Sequence, residues 1–387
     1  MDEGLFRLAV TILLAVLVGI VADYIHSPPK AQQQLTAVLE MLARQKANAS
    51  VAVSPGSIYR AARSSPRVMQ VDTSRMLFDR DEHTFMLVAD LDLKSRHPSK
   101  FLWSSILRKG MLRRQGNGSY AVEWTLQHTL ESRIAYKNRS MELSELVQYG
   151  HVLMGFCDIT GLVFKVTADE KRANVLLRYA IADGDGHSIK PFKSEWATVK
   201  DGLVWVGSTG KEWNDWDPAT GKEYIKHRNT LWVKTIEESG RITNYDWSAV
   251  YTALRTATNT TFPGYLWHEA VLWDPRLARW LFLPRRASPV KPYRPDTDQH
   301  MGTNVLISTS EDFSDIAVHH IGPVEPEWGF SSLRKIPGTD AQYVALKTFE
   351  VGDETHSKLV RFNLDGLYEE VADLPGVKYE GLEFIEE

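Results

Sequence analysis

The chain has 387 residues, enough for one large domain or two ordinary ones, and 45 basic against 49 acidic residues leave a formal net charge of −4. That balance excludes a protein whose main task is gripping a nucleic-acid backbone, which needs a strong basic excess. A single cysteine, Cys157, excludes an intrachain disulfide and a cysteine-based zinc site, while 12 Trp and 14 Tyr suit an all-β chain.

Residues 1–30 contain LAVTILLAVLVGIVA, Leu8 to Ala22, an uncharged apolar run between Arg7 and Asp23. Its length is at the short limit for a membrane span, longer if Arg7 snorkels, and it also suits a signal-peptide core with Ile20-Val21-Ala22 as a weak cleavage site. The expectation is an uncleaved signal-anchor helix, hence a single-pass type II membrane protein of the ER or Golgi. Secretion after cleavage is the alternative. Glycosylation sequons at Asn48, Asn117, Asn138 and Asn259 agree with entry into the secretory pathway. Residues 31–75 read as stem and linker: HSPPK breaks the preceding helix, 31–47 is amphipathic, and SVAVSPGSIYRAARSSPR is dense in Ser, Pro and Gly.

Residues 76–387 read as the folded domain. TFMLVADLDL, GLVFKVTA, GLVWVGS, ARWLFLPRR, TNVLIST, QYVALKTFE and KLVRFNLDG are short, β-rich and bounded by turn residues, and only DWSAVYTALRTAT carries a helical period. Many short strands without a βαβ rhythm indicate a sandwich, barrel or propeller. Polar clusters at strand ends favour the propeller. They are DLD (Asp90, Asp92), ELSEL (Glu142, Ser144, Glu145), SEW (Glu195), HEA (Glu269), GFSS (Ser331) and YEG (Glu380). Their spacing of roughly 50 to 75 residues is that of a four-stranded blade with a generous loop, so about five blades are expected, each aiming one polar group at the central axis.

In the last stretch, VKYEGLEFIEE, strict alternation places Glu380 on one face with Leu382 and Phe384, and Tyr379, Gly381 and Glu383 on the other. A carboxylate on an apolar face needs a donor or a cation. Oxygen-bearing side chains converging from different blades describe a hard-cation site, for Ca²⁺ before Mg²⁺. Each carboxylate taken alone is equally well explained as a turn cap or an arginine's partner.

Among cations, FLPRRAS sets Arg285 and Arg286 directly after an apolar strand, so one of them faces inward with a fork suited to phosphate oxygens. TGKEWND adds Lys211 in a Gly-containing loop, and Trp213 or Trp196 offers a flat surface for a base. ADGDG (Asp183, Asp185) reads as a turn and the His319-His320 pair as structural; no Walker loop, G-x-S-x-G elbow or H-E-x-x-H is present.

Taken in order, VADLDLKS, MELSELV, SEWATVKDGLVWVGSTGKEW, PGYLWHEAVLWD, RWLFLPRRAS, GFSSLRKIPGT, VALKTFE and VKYEGLEFI resemble the calcium-activated nucleotidase (apyrase) family from about Phe85 to Ile385. The resemblance implies a five-bladed propeller that hydrolyses nucleoside di- and triphosphates with one Ca²⁺ near the axis. It assigns that ion to Ser144, Glu145, Glu195, Glu269, Ser331 and Glu380, with the serines offering backbone carbonyls. It ties Asp92 and Arg285 to catalysis; Asp90, Lys211, Trp213 and Arg286 are substrate-binding candidates on their residue types and positions alone. FCDITGLV departs from the family's Asp-Asp-Arg-Thr-Gly run, with Cys157 for an Asp and Ile159 for the Arg. The expected partner is a nucleotide, with the membrane reached through the N-terminal run; a homodimer, the base preference and a non-catalytic, calcium-stabilised binding propeller stay open.

Overall fold

The computed structural model describes residues 81–385. The apolar N-terminal run, the stem and Asn48 lie outside them. In chain order, β1 (Glu82–Ala89), β2 (Trp103–Arg114) and β3 (Tyr120–Ser132) lead to β4 (Leu143–Tyr149), β5 (Val152–Cys157), β6 (Leu162–Ala168) and β7 (Ala173–Ala180). Next come β8 (Trp196–Lys200), β9 (Leu203–Gly207), the hairpin β10 (Trp213–Trp216) and β11 (Glu223–His227), then β12 (Trp232–Ile236), β13 (Ile242–Asp246) and helix α1 (Ser248–Ala257). The remainder comprises β14 (Tyr265–Asp274), β15 (Arg279–Ser288), the short helix α2 (Pro295–Asp298), β16 (Val305–Ser310), β17 (Ile316–His320), β18 (Trp328–Lys335), β19 (Gln342–Val351), β20 (Glu354–Asn363), β21 (Tyr368–Pro375) and β22 (Tyr379–Phe384).

These strands form five antiparallel four-stranded sheets: β22-β1-β2-β3, β4-β5-β6-β7, β8-β9-β12-β13, β14-β15-β16-β17 and β18-β19-β20-β21. The first strand of each touches the first strand of the next, β22 to β4 to β8 to β14 to β18 and back to β22. That closed circuit is a five-bladed β-propeller. The last strand completes the first blade, so DLD and YEG belong to one blade and six polar clusters fit five blades.

Apolar residues fill the seams between blades. Phe85 and Leu87 pack with Leu346 and Leu359, Leu107 with Leu146 and Phe164, Phe156 with Val204 and Val206, and Leu283 with Phe330 and Val360. The seam between the third and fourth blades is aromatic, with Trp247 5.4 Å from Trp280 and 5.2 Å from Phe313, ring centre to ring centre. The one helical period in the sequence is α1, whose Val250, Tyr251 and Leu254 are buried.

The inner strands share a local feature that sets up the axis. Each carries an extra residue near its start: Ser144 on β4, Glu269 on β14, Ser331 on β18 and Glu380 on β22 are skipped in their ladders. Glu195 follows suit, since its N–H donates to the Gly207 carbonyl at 2.8 Å while Trp196 also pairs with Gly207. A bulge leaves one residue unpaired and re-aims its side chain. On β22 it also resets the alternation: Tyr379, not Glu380, shares the apolar cluster of Leu382 and Phe384. The strict-alternation reading of this stretch is corrected accordingly. Gly381 follows the bulge because a Cβ there would stand 2.7 Å from Val88 and 2.8 Å from the Glu145 backbone.

Candidate active site

At the bulged ends of the inner strands lies a cavity of about 620 Å³. Glu195, Glu269 and Glu380, from three separate blades, reach its floor, and each is less than a tenth exposed. Burying them requires cations. Arg285 Nη1 donates to Glu269 Oε2 at 2.6 Å and to Glu380 Oε1 at 2.7 Å, while its Nη2 donates to Glu350 Oε2 at 2.8 Å. Lys378 Nζ lies 3.6 Å from Glu380 Oε1, and Lys193 Nζ lies 2.7 Å from Glu195 Oε1. Glu380 is therefore met by Arg285 and Lys378.

Burial outweighs the pull of these cations. Burial pushes the Glu195 carboxyl up to about 8, with Lys193 opposing and Glu269 and Asp158 adding to the rise. Burial also carries Glu380 well above the usual carboxylate range, against the pull of Lys378 and Arg285. Asp158 Oδ1 is buried with no hydrogen-bond partner among the described residues.

The DLD segment closes one side. Asp92 has φ +47°, a left-handed conformation disfavoured for a residue with a side chain. Its N–H donates to Asp90 Oδ1 at 2.8 Å, and Lys378 Nζ meets Asp92 Oδ2 at 2.7 Å and Asp90 Oδ2 at 3.0 Å. Asp92 is partly exposed to the cavity, with Arg139 3.6 Å from its Oδ1. Burial and the neighbouring Asp90 hold the Asp92 carboxyl above its ordinary range. Carboxylate oxygens of Asp90, Asp92 and Glu142 all lie within 4.8 Å of one another.

Opposite stand the groups suited to an anion and a base. Arg286 is 2% exposed, and its Nε and Nη1 have no hydrogen-bond partner among the described residues. The Asp298 carboxylate stands 3.8 Å away, and burial lowers the guanidinium to about 10. Both arginines fit because residue 329 is glycine: a Cβ there would come within 2.4 Å of Arg285 Cγ and 3.1 Å of Arg286 Nη1. Trp213, Trp267 and Tyr293 form an aromatic wall of the cavity, with the last two rings 5.4 Å apart.

Of the residues singled out in the sequence, Asp90, Asp92, Glu195, Trp213, Glu269, Arg285, Arg286 and Glu380 share the cavity lining. Ser144, Glu145, Ser331 and Lys211 are not part of it. Lys211 lies behind the aromatic wall, its Nζ 4.3 Å from the Tyr293 ring centre, and burial lowers it to about 8. Glu145 Oε1 accepts from Ser332 Oγ and the Leu146 N–H, both at 2.9 Å, and faces Arg334 at 3.2 Å. Trp196 is fully buried in the third blade, with its Nε1 donating to the Ser208 carbonyl. Ile159 lines the cavity, whereas Cys157 is buried in the core between the first two blades. Asn117, Asn138 and Asn259 are exposed, Asn138 between the cavity-lining Lys137 and Arg139.

Sequence reasoning missed Lys193, Lys378, Glu350, Asp158 and Arg139. For the first two a signal existed. Lys-x-Glu occurs in KSE and KYE, and two residues along a strand bring a lysine beside its glutamate. Glu350, Asp158 and Arg139 reach the cavity only through the closure of the ring, which no local pattern announces.

Comparison with known proteins agrees with this geometry. The family profile described as Apyrase matches residues 91–385. The chain is 40% identical over 303 residues to soluble calcium-activated nucleotidase 1 of Mus musculus, covering 77% of this chain and 73% of that protein. It is 38% identical to an apyrase of Cimex lectularius, over 73% of this chain and 77% of the relative. An apyrase of Phlebotomus duboscqi is 35% identical, over 73% and 82%. With its five closed blades and a matching profile that spans nearly the whole propeller, the chain belongs to the apyrase family.

Proposed function

We propose that this nucleotide-hydrolysing chain splits the terminal phosphoanhydride of nucleoside diphosphates (UDP, GDP and ADP), and of triphosphates, with Ca²⁺ as its cofactor. A diphosphate is converted to a monophosphate and phosphate. The observation that carries the reading is the meeting, in one cavity, of three buried carboxylates from separate blades and a buried guanidinium whose Nε and Nη1 have no hydrogen-bond partner among the described residues.

The donor set suits a hard cation: carboxylate oxygens at irregular geometry, with no Cys at the bulges and no His there other than His268 beside Glu269. Glu195, Glu269 and Glu380 would hold it, and burial, which raises the proton affinity of Glu195 and Glu380 against the pull of the nearby cations, favours their gaining a further positive partner. Ser144, Glu145 and Ser331, the remaining positions implied by family resemblance, occupy the same bulge level on β4 and β18. When bound, Ca²⁺ neutralises charge on phosphate oxygens.

The chain's own groups supply the rest. Arg286 offers its free guanidinium edge to a phosphate oxygen, and Arg285 adds charge at the floor. The wall of Trp213, Trp267 and Tyr293 stacks the base. Asp92, the most exposed carboxylate of its group and restrained by Lys378, orients the attacking water and takes its proton during in-line displacement.

The relative named a calcium-activated nucleotidase supports the choice of ion. Among the described residues, no helix is long and apolar enough to cross a membrane. The Leu8–Ala22 run supports a lumenal role in the ER or Golgi, where a diphosphatase would clear the UDP left by glycosyltransferases. Secretion after cleavage is the second reading, favoured by Ile20-Val21-Ala22.

Phosphate release by the purified full chain from UDP, GDP, ADP, ATP and UMP, each with Ca²⁺, Mg²⁺ or chelator, tests the proposal. Turnover of diphosphates with Ca²⁺, lost with chelator and absent for UMP, is expected. Equal rates in chelator would remove Ca²⁺ from the reaction.

A further inference from the structure

Arg285 has a second role, and the inference rests on the proposed function. Its Nη1 sits between Glu269 Oε2 and Glu380 Oε1, at 2.6 and 2.7 Å, so the guanidinium occupies the space between two carboxylates that belong to different blades. Its Nη2 points the other way, to Glu350 Oε2 at 2.8 Å, and Glu350 also lines the cavity with its side chain 38% exposed. The head is therefore held at both ends, toward the floor and toward the open cavity. Arg286 beside it has no hydrogen-bond partner at Nε or Nη1 among the described residues, with Asp298 3.8 Å away.

The geometry points to Arg285 as a resident cation that a divalent ion displaces from Glu269 and Glu380, so that its freed guanidinium binds the phosphate of a nucleoside diphosphate. The physical reason is exclusion. Arg285 holds Glu269 Oε2 and Glu380 Oε1, and Trp267 Nε1 donates to Glu269 Oε1 at 2.8 Å, so an ion at ~2.3–2.6 Å from Glu269 takes an oxygen that already has a donor and stands beside a buried guanidinium of like charge. Once displaced, Arg285 keeps Glu350 on Nη2 but its Nη1 is left buried without an acceptor. Glu350 already holds its other edge, and an incoming phosphate supplies the charge that Glu269 and Glu380 gave up. Lys193 on Glu195 and Lys378 on Glu380 stand in the same relation to the floor and, like Arg285 with Glu350, each keeps a further carboxylate, Asp158 and Asp90, but an ammonium has no planar fork to offer a phosphate. Arg285 is the group whose release leaves a fork open to the cavity.

Ion and nucleotide then favour each other's binding, and thermodynamic reciprocity makes the two factors equal. Without nucleotide the ion competes with Arg285 and binds weakly.

The test is isothermal titration of the full chain with Ca²⁺ alone, with the non-hydrolysable uridine α,β-methylene diphosphate alone, and with each in the presence of the other. For the wild type each ligand is expected to tighten the other by about tenfold. Arg285→Met empties the floor, so Ca²⁺ binds about tenfold more tightly without nucleotide and the mutual enhancement falls to what the ion's own contact with phosphate supplies. Should that variant not fold, Arg285→Lys keeps a charge without the fork and is expected to bind Ca²⁺ more tightly than wild type, with the enhancement reduced. Ca²⁺ binding that is unchanged or weakened in the variants, or enhancement that is undiminished in them, overturns the displacement while leaving the proposed function standing. A wild type that takes up no Ca²⁺ overturns both.

Discussion

Glu145 and Glu380 lie beside matching bulges on neighbouring inner strands, both are buried, and each meets an arginine, yet their surroundings differ in kind. Glu145 receives the Ser332 hydroxyl, the Leu146 N–H and the Arg334 guanidinium, and Arg334 is further tied to Glu383 at 3.0 Å and to backbone carbonyls of two blades. Glu380 is met only by cations shared with other carboxylates, Arg285 with Glu269 and Glu350, and Lys378 with Asp90 and Asp92. One arrangement pins blades together; the other leaves partners that can be exchanged for a ligand. Satisfaction of hydrogen-bonding capacity, more than burial or charge, separates the structural end of the axis from the working end.

The largest effect is expected from Asp92→Asn at the working end. Turnover falls by about 10²–10⁴-fold while Ca²⁺ binding is retained, measured by phosphate release and calorimetry. Unchanged turnover would remove Asp92 from the mechanism. At the structural end, Arg334→Met leaves Glu145 and Glu383 buried without their cation, and chemical denaturation should show a loss of about 3–5 kcal/mol. A loss no larger than that of an exposed substitution would erase the distinction between the two ends. Arg286→Met abandons only the Asp298 carboxylate, 3.8 Å away, so the stability loss stays within about 1–3 kcal/mol while KM for UDP rises about tenfold to a hundredfold. Trp213→Ala, half-exposed at the wall, should raise KM by about fivefold, or 1 kcal/mol, with kcat little changed.

A pH series sharpens the same contrast. The Glu195 carboxyl is raised from 4.5 to about 8 in the folded protein, so between those values the native state holds more proton than the unfolded chain. Stability of the chelated protein from this group is fully present below pH 4.5 and is lost as pH rises through 8. Glu195→Gln should flatten that slope, and an unchanged slope would reassign it.

Much of the fold was legible because a blade is a local object: strand, turn and polar cluster recur at a readable interval. The closure by β22 was not, since nothing in YEGLEF says that it pairs with a strand almost three hundred residues earlier. The glutamates at 195, 269 and 380 were legible as misfits on apolar strands. Their cations were harder to see: Lys193 and Lys378 hid in Lys-x-Glu pairs, and the roles of the two arginines depend on Glu269, Glu350, Glu380 and Asp298, which come from different segments. Bulges also defeat alternation, which is why Tyr379 occupies the face assigned to Glu380.

The site is most directly tested by a crystal structure with Ca²⁺ and uridine α,β-methylene diphosphate. An ion at ~2.3–2.6 Å from one carboxylate oxygen each of Glu195, Glu269 and Glu380, with Arg285 turned to the phosphate, is the expected result. An ion bound elsewhere, with Arg285 still bridging Glu269 and Glu380, would contradict it.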